Sequence, residues 1–113
     1  MTQAVINQKI ATVEARGSIN AANAETFKKR LIDTLCSQTA SVLLIDLAKV
    51  ELIDSAGLMA LVAAYRLAKT LKRRAILCSV SPSVQIIFEL TQLDRRFEMY
   101  ENRLAVEAAI AGS

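Results

Sequence analysis

The chain has 113 residues, 53% of them apolar and 22% charged, with a formal net charge of +3. That length suits one domain, residues 1–113 with a core over about 4–110, and the balance excludes a disordered chain. Aromatic residues make up 4% with no tryptophan, which argues against base stacking and direct nucleic-acid binding; the absence of histidine removes the commonest general base and metal ligand.

Residues 4–6 and 9–15 are short strand candidates, with a hairpin turn expected at Asn7-Gln8. Arg16-Gly17-Ser18 is expected to end the second strand. Asn20 and Asn23 compete as caps for a helix over residues 24–35, in which Ala24, Phe27, Leu31 and Leu35 share one face. Cys36 closes this helix and reads as a small core residue.

Residues 42–47 form a continuous apolar run broken only by Asp46, as in a strand buried on both faces. Asp54-Ser55 follows, ahead of a helix over about residues 57–71. Short polar residues of this kind begin helices. A helix N-terminus offers unpaired N–H groups and a positive dipole end, so a hydroxyl and a carboxylate placed there point to phosphate chemistry. The same pair also reads as a plain cap, contributing about 1 kcal/mol.

The helix after it is apolar almost all round. Leu58, Leu61, Val62, Tyr65 and Ala68 fit a core stripe, and Met59, Ala60, Ala63 and Leu67 fall beside or opposite it. Such a helix is either deeply buried or a docking surface. Met59 and small alanines beside Ser55 suit an adaptable partner contact.

Residues 75–78 read as a fourth strand, ending at Cys78, a second core cysteine. Ser81 caps the next helix with Pro82 at its first position, and Val84, Ile87, Phe88 and Thr91 make its apolar stripe. Residues 93–96 connect to a fifth, alternating strand at 97–100, near an edge. A last helix spans 103–111, with Leu104, Ala108 and Ala111 on one face. Two basic runs, Lys69-Thr70-Leu71-Lys72-Arg73-Arg74 and Asp94-Arg95-Arg96, read as solvated helix ends or as a surface for an acidic partner.

Alternating helices and strands imply an α/β domain with a mixed, mostly parallel sheet of about five strands and about four helices, its parallel strands joined by right-handed crossovers. Ligand sites in such sheets lie past the carboxyl ends of the strands, where the Asp54-Ser55 turn falls. No apolar run approaches membrane-spanning length, and Met1-Thr2-Gln3-Ala4-Val5-Ile6-Asn7 lacks the charged start and apolar stretch of a signal peptide. The widely spaced cysteines fit a reducing cytoplasm.

Several segments in this order resemble the STAS domain of bacterial anti-sigma factor antagonists. They are Gly17-Ser18-Ile19-Asn20-Ala21-Ala22, Leu44-Ile45-Asp46-Leu47, Ile53-Asp54-Ser55-Ala56-Gly57-Leu58, Ser81-Pro82-Ser83-Val84 and Leu90-Thr91-Gln92-Leu93-Asp94. The resemblance implies a STAS-type fold and a binding module without a cofactor, not an enzyme. It implies that Ser55 is phosphorylated by a serine kinase that is also the anti-sigma factor, or a relative of it. The unphosphorylated form binds that partner, and a metal-dependent serine/threonine phosphatase resets the switch. Taken with the apolar flank of the helix read above, the expected partner surface comprises Asp54, Ser55, Ala56, Gly57, Met59, Ala60, Ala63 and Leu67. Two positions depart from the family pattern. Ala56 stands where many members carry a second hydroxyl, and Gln92 stands where a glycine is usual.

Three other readings compete. An accessory STAS subunit of a transporter or signalling complex would need no phosphorylation, and Ala56 favours it. A response-regulator receiver would use Asp46 as phosphoacceptor, but Glu14 and Glu25 are too far apart in sequence for its acidic pair, and no lysine follows Lys72. Asp46 then reads as a structural residue. Catalysis lacks a nucleophile–base spacing or a glycine-rich phosphate loop.

Overall fold

The run at residues 42–47 becomes the centre of the sheet, buried along its whole length. In the computed structural model, which describes residues 10–37 and 40–111, four parallel strands lie in chain order: β1 (Ile10–Ile19), β2 (Val42–Ile53), β3 (Arg74–Cys78) and β4 (Glu98–Tyr100). Helices α1 (Ala24–Ser37), α2 (Ser55–Thr70) and α3 (Pro82–Leu90) connect them, a short 3-10 turn (Leu93–Arg95) precedes β4, and α4 (Arg103–Ala111) follows it.

Sequential parallel strands joined by crossovers of one hand place all crossover helices on one face. Accordingly Leu43, Ile45 and Leu47 of β2 pack in the main core with Phe27 and Leu31 of α1, Leu61 of α2 and Phe88 of α3. The alternate residues Val42 and Leu44, with Ile76 and Cys78 of β3, meet Val106 of α4 in a second, smaller core. Burial on both faces is why β2 reads as a continuous apolar run.

The expected strand at residues 4–6 and the Asn7-Gln8 hairpin lie outside the described residues. The described sheet therefore has four strands rather than five, and all are parallel rather than mixed. Nor does β1 stop at Arg16-Gly17-Ser18: Gly17 takes a left-handed φ of +69° within the strand, which then continues to Ile19. β2 runs on to Ile53. Where Glu14 and Arg16 of β1 pair with Asp46 and Lys49, β2 carries one extra residue, a bulge.

Asp46 holds that bulge. It is the one buried charged residue among the described residues. Its Oδ1 accepts the Ala48 N–H at 2.9 Å, and its Oδ2 accepts Arg103 Nε at 2.5 Å. The carboxylate thus ties the bulge to the first residue of α4, a structural role. Arg103 also reaches Glu14 at 3.3 Å.

Three sequence expectations about faces are corrected. Leu104 of α4 is 75% exposed and Ala108 and Ala111 are exposed, because Arg103 is anchored to Asp46 and the helix turns Val106 and Ile110 inward instead. Cys36 is exposed, since Leu35 takes the last inward position of α1. Thr91 is an exposed C-cap whose hydroxyl donates to the Ile87 carbonyl at 2.8 Å. Gln92, at the usual glycine position, keeps the turn by taking a left-handed φ of 60°, a conformation that costs about 1 kcal/mol for a residue with a Cβ.

Two outcomes follow for stability. Arg103→Ala leaves the Asp46 carboxylate buried with one backbone donor; Arg103 is itself half exposed, so water replaces part of the loss, and unfolding in urea should show a destabilisation of about 2 kcal/mol. Arg74 Nε and Nη2 donate to both Glu98 oxygens at 2.8 and 2.5 Å, linking β3 to β4. The Arg74 hydrogen bond, outweighing desolvation, holds the Glu98 carboxyl below its usual value of 4.5. A carboxyl whose pKa is depressed on folding stabilises above its unfolded value, and that contribution is lost as pH falls through the folded one. Glu98→Gln should therefore flatten the loss of stability below about pH 4.5, by about 0.5 kcal/mol for so exposed a pair, in denaturation curves taken as a function of pH.

Candidate functional site

β1 and β2 end side by side, with Ile19 opposite Ile53. The Asp54 N–H donates to the Ile19 carbonyl at 3.0 Å, so the first residue beyond β2 is still held by β1. Asp54 is extended, and its Oδ1 accepts the Gly57 N–H at 3.1 Å while its carbonyl accepts the Leu58 N–H at 2.9 Å. Asp54 is therefore the N-cap of α2. The helix begins at Ser55, two residues earlier than the sequence pattern indicates.

This divides the two polar residues. Asp54 is committed to the backbone by three hydrogen bonds. Ser55 is the first helical residue, exposed, and its hydroxyl has no hydrogen-bond partner among the described residues. Gly57 is buried against the strand ends. A Cβ there would lie 2.6 Å from Ile53 Cγ1, 2.8 Å from Ile19 Cγ2 and 3.1 Å from the Ile19 carbonyl oxygen. Glycine is what lets the first turn of α2 sit on the sheet.

Beside Ser55 runs an open groove of about 350 Å³ between α1 and α2. Ala56, Met59, Ala60 and Ala63 line it from α2, and Ala24, Glu25 and Lys28 line it from α1, with Ala21 from the turn before α1. Met59 is 62% exposed. Ala60 is buried and forms part of the floor, not an exposed contact as the sequence pattern implied. Leu67 is not brought to the groove: it is half-buried against the main core. Val62 and Tyr65, expected inside, are only half-buried. Helix α1 packs on α2 and covers the flank at Ala60 that looked unpartnered. Ala60, Ala64 and Ala68 have side chains small enough for that approach.

The α1 wall of the groove was not legible as part of a site. Its signal was the asparagine pair. Asn20 and Asn23 do not compete: the Asn20 N–H donates to Asn23 Oδ1 at 3.0 Å, the Ala22 N–H donates to Asn20 Oδ1 at 2.9 Å, and Asn23 Nδ2 donates to the Ser18 carbonyl at 2.8 Å. Together they dock the start of α1 against the end of β1, level with the Asp54-Ser55 turn.

A STAS domain family model matches residues 1–105. The chain belongs to the STAS domain family. BtrV of Bordetella bronchiseptica, described as an anti-sigma factor antagonist, is 29% identical over 94 residues, covering 83% of this chain and 80% of the relative. A crystal structure of a Thermotoga maritima protein described as an anti-sigma factor antagonist superposes with a TM-score of 0.83 at 24% identity, covering 90% of this chain and 87% of that one. The Bacillus anti-sigma factor antagonist SpoIIAA shares the fold in its unphosphorylated form (TM-score 0.75, 14% identity, 94% of this chain and 92% of that one) and in its phosphorylated form (TM-score 0.68, 13% identity, 94% and 96%). STAS domains of this kind are binding modules, not enzymes. Among the described residues of this STAS domain, no three histidine, cysteine or acidic side chains gather as a metal site, and no helix is long and apolar enough to cross a membrane.

Gly57→Ala tests the seating of the site. The added methyl must push Ile19 and Ile53 aside at the edge of the core, and a loss of about 1–3 kcal/mol is expected from the urea midpoint. An unchanged midpoint would mean that α2 can slide off the strand ends.

Proposed function

We propose that this STAS domain is an anti-sigma factor antagonist whose partner binding is gated by phosphorylation of Ser55. The observation that carries the reading is the free, exposed Ser55 hydroxyl at the first position of α2, beside a groove lined by Ala56, Met59, Ala60 and Ala63. The similarity to BtrV and to the SpoIIAA fold supports it.

Phosphate on Ser55 adds about −1.5 to −2 charges at neutral pH. The positive end of α2 tolerates that charge. Asp54 keeps the cap, so the fold does not depend on the Ser55 hydroxyl. What changes is the surface. A dianion beside Asp54 and an alanine-lined groove opposes a partner shaped for a neutral hydroxyl, through repulsion, bulk and the cost of desolvation. The partner is a serine kinase that is itself the anti-sigma factor or a relative of it. A metal-dependent serine/threonine phosphatase restores the binding form, and the exchange takes place in the cytoplasm. Asp54 and Gly57 set the geometry of the contact, Met59 and the alanines supply its surface, and Leu67 supports α2 from behind.

The second reading, a constitutive scaffold subunit, rests on Ala56, which leaves Ser55 as the one hydroxyl in the turn. Intact-mass analysis of the protein from its native cells, with peptide mapping of the turn, separates the two. One phosphate on Ser55 in a fraction of the molecules is expected. Ser55→Asp should weaken binding to the cognate kinase by about 100- to 1000-fold, while Ser55→Ala binds and is not phosphorylated. Wild-type affinity in Ser55→Asp, or unmodified Ser55 under all growth conditions, would overturn the gate.

A further inference from the structure

The two basic runs of the sequence meet in space. At the end of the molecule opposite Ser55, a recess of about 330 Å³ is lined by Lys69, Lys72, Arg73, Arg74 and Arg96, with Tyr65, Ala75 and Glu98. The lining carries five cations and one carboxylate, whereas the whole chain nets +3, so the rest of the molecule is slightly acidic. The basicity of this protein is concentrated in one recess.

Helix-end electrostatics accounts for only part of the cluster. Lys69 is the one cation in the last turn of α2. Arg74 stands on β3, and Arg96 comes from the connection before β4, more than twenty residues further along the chain. The end of α2 is already closed by its own backbone, with the N–H groups of Leu71, Lys72 and Arg73 donating to the carbonyls of Leu67, Lys69 and Ala68. Arg74 directs its fork at Glu98, and Arg73 donates to the Leu35 carbonyl. Lys69, Lys72 and Arg96 are exposed at the rim, and Lys69 Nζ lies 5.7 Å from the Tyr65 ring centre.

We propose that this recess binds a compact phosphate anion carrying two adjacent phosphates. A recess of this size admits one such group, whereas a nucleic-acid strand or a flat bilayer spreads its charge over a wider surface. Glu98 is neutralised by the Arg74 fork, so the lining keeps an excess of four positive charges, which favours a densely charged anion over a lone carboxylate. Arginine and lysine side chains converging from three elements match phosphate oxygens on several sides. The site is independent of the Ser55 reading. Helix α2 has 16 residues, which at a rise of about 1.5 Å each separates its two ends by roughly 24 Å.

The test is a titration of the full, isotope-labelled chain with sodium pyrophosphate at low ionic strength, followed by NMR and by calorimetry, with sodium chloride of equal ionic strength as control. Saturable shifts are expected at the amides of Lys69, Lys72 and Arg96, with the Ser55 turn unmoved. Lys69→Ala/Lys72→Ala should weaken binding by about tenfold, Arg96→Ala should also weaken it, and added salt should weaken it further. All three side chains are exposed, and circular dichroism checks that the variants fold. ADP in place of pyrophosphate, and vesicles bearing a bisphosphorylated inositol lipid, tell a soluble ligand from a headgroup. Absence of saturable binding, binding unmoved by the variants, or an oligoglutamate peptide binding as tightly as pyrophosphate would overturn the proposal.

Discussion

The first turn of α2 rests directly on the paired ends of β1 and β2, and much of the molecule is arranged around that contact. It exists because Gly57 has no Cβ to strike Ile19 and Ile53. With the helix seated there, Asp54 falls where it can take the Ile19 carbonyl on one side and the Gly57 N–H on the other. The capping duty is then filled, and Ser55 is left as the outward residue. A side chain at position 57 would lift the helix start away from the strands, and the cap, the serine and the mouth of the groove would all move with it.

The same seating explains the unusual composition of α2. A helix at the edge of a layer needs one apolar stripe, but α2 lies beside α1 and over the sheet, so two of its flanks are covered. Alanine at positions 60, 64 and 68 is the residue that allows this: each is buried, and each lets a neighbour come close. The groove beside Ser55 lies between α1 and α2, with Met59 in its lining. Its walls come from two helices, one following β1 and the other following β2, which places it beyond the carboxyl ends of those strands.

Much of this was legible in the sequence. The apolar run at residues 42–47, the Asp54-Ser55 turn and the Ser81-Pro82 start each carry a local signal that the fold keeps. What was not legible depends on partners distant in sequence. A bulge in β2 appears only in register with β1. The face of α4 turns on Arg103 meeting Asp46, 57 positions earlier, a contact that periodicity cannot see. Leu67 and Ala60 looked free because periodicity describes one helix at a time, without its neighbours. Cys36 shows the opposite limit: its place at the end of α1 was read correctly, but one position along a helix rotates a side chain by about 100°, from inside to outside.

The division of labour at the helix start bears on what kind of switch this STAS domain can be. A serine that capped its own helix would lose a backbone bond on modification, and the helix end would loosen or shift. Here the cap is Asp54 and every bond it makes survives a change at Ser55. Nor does the first turn have slack to rearrange, since Gly57 is already against two isoleucines. On the proposed reading the signal therefore does not travel through the fold. It resides in the charge and bulk presented at the mouth of the groove, and discrimination between the two states belongs to the partner surface that meets it. A rigid platform that carries a local charge suits a protein whose two states must be told apart by contact alone.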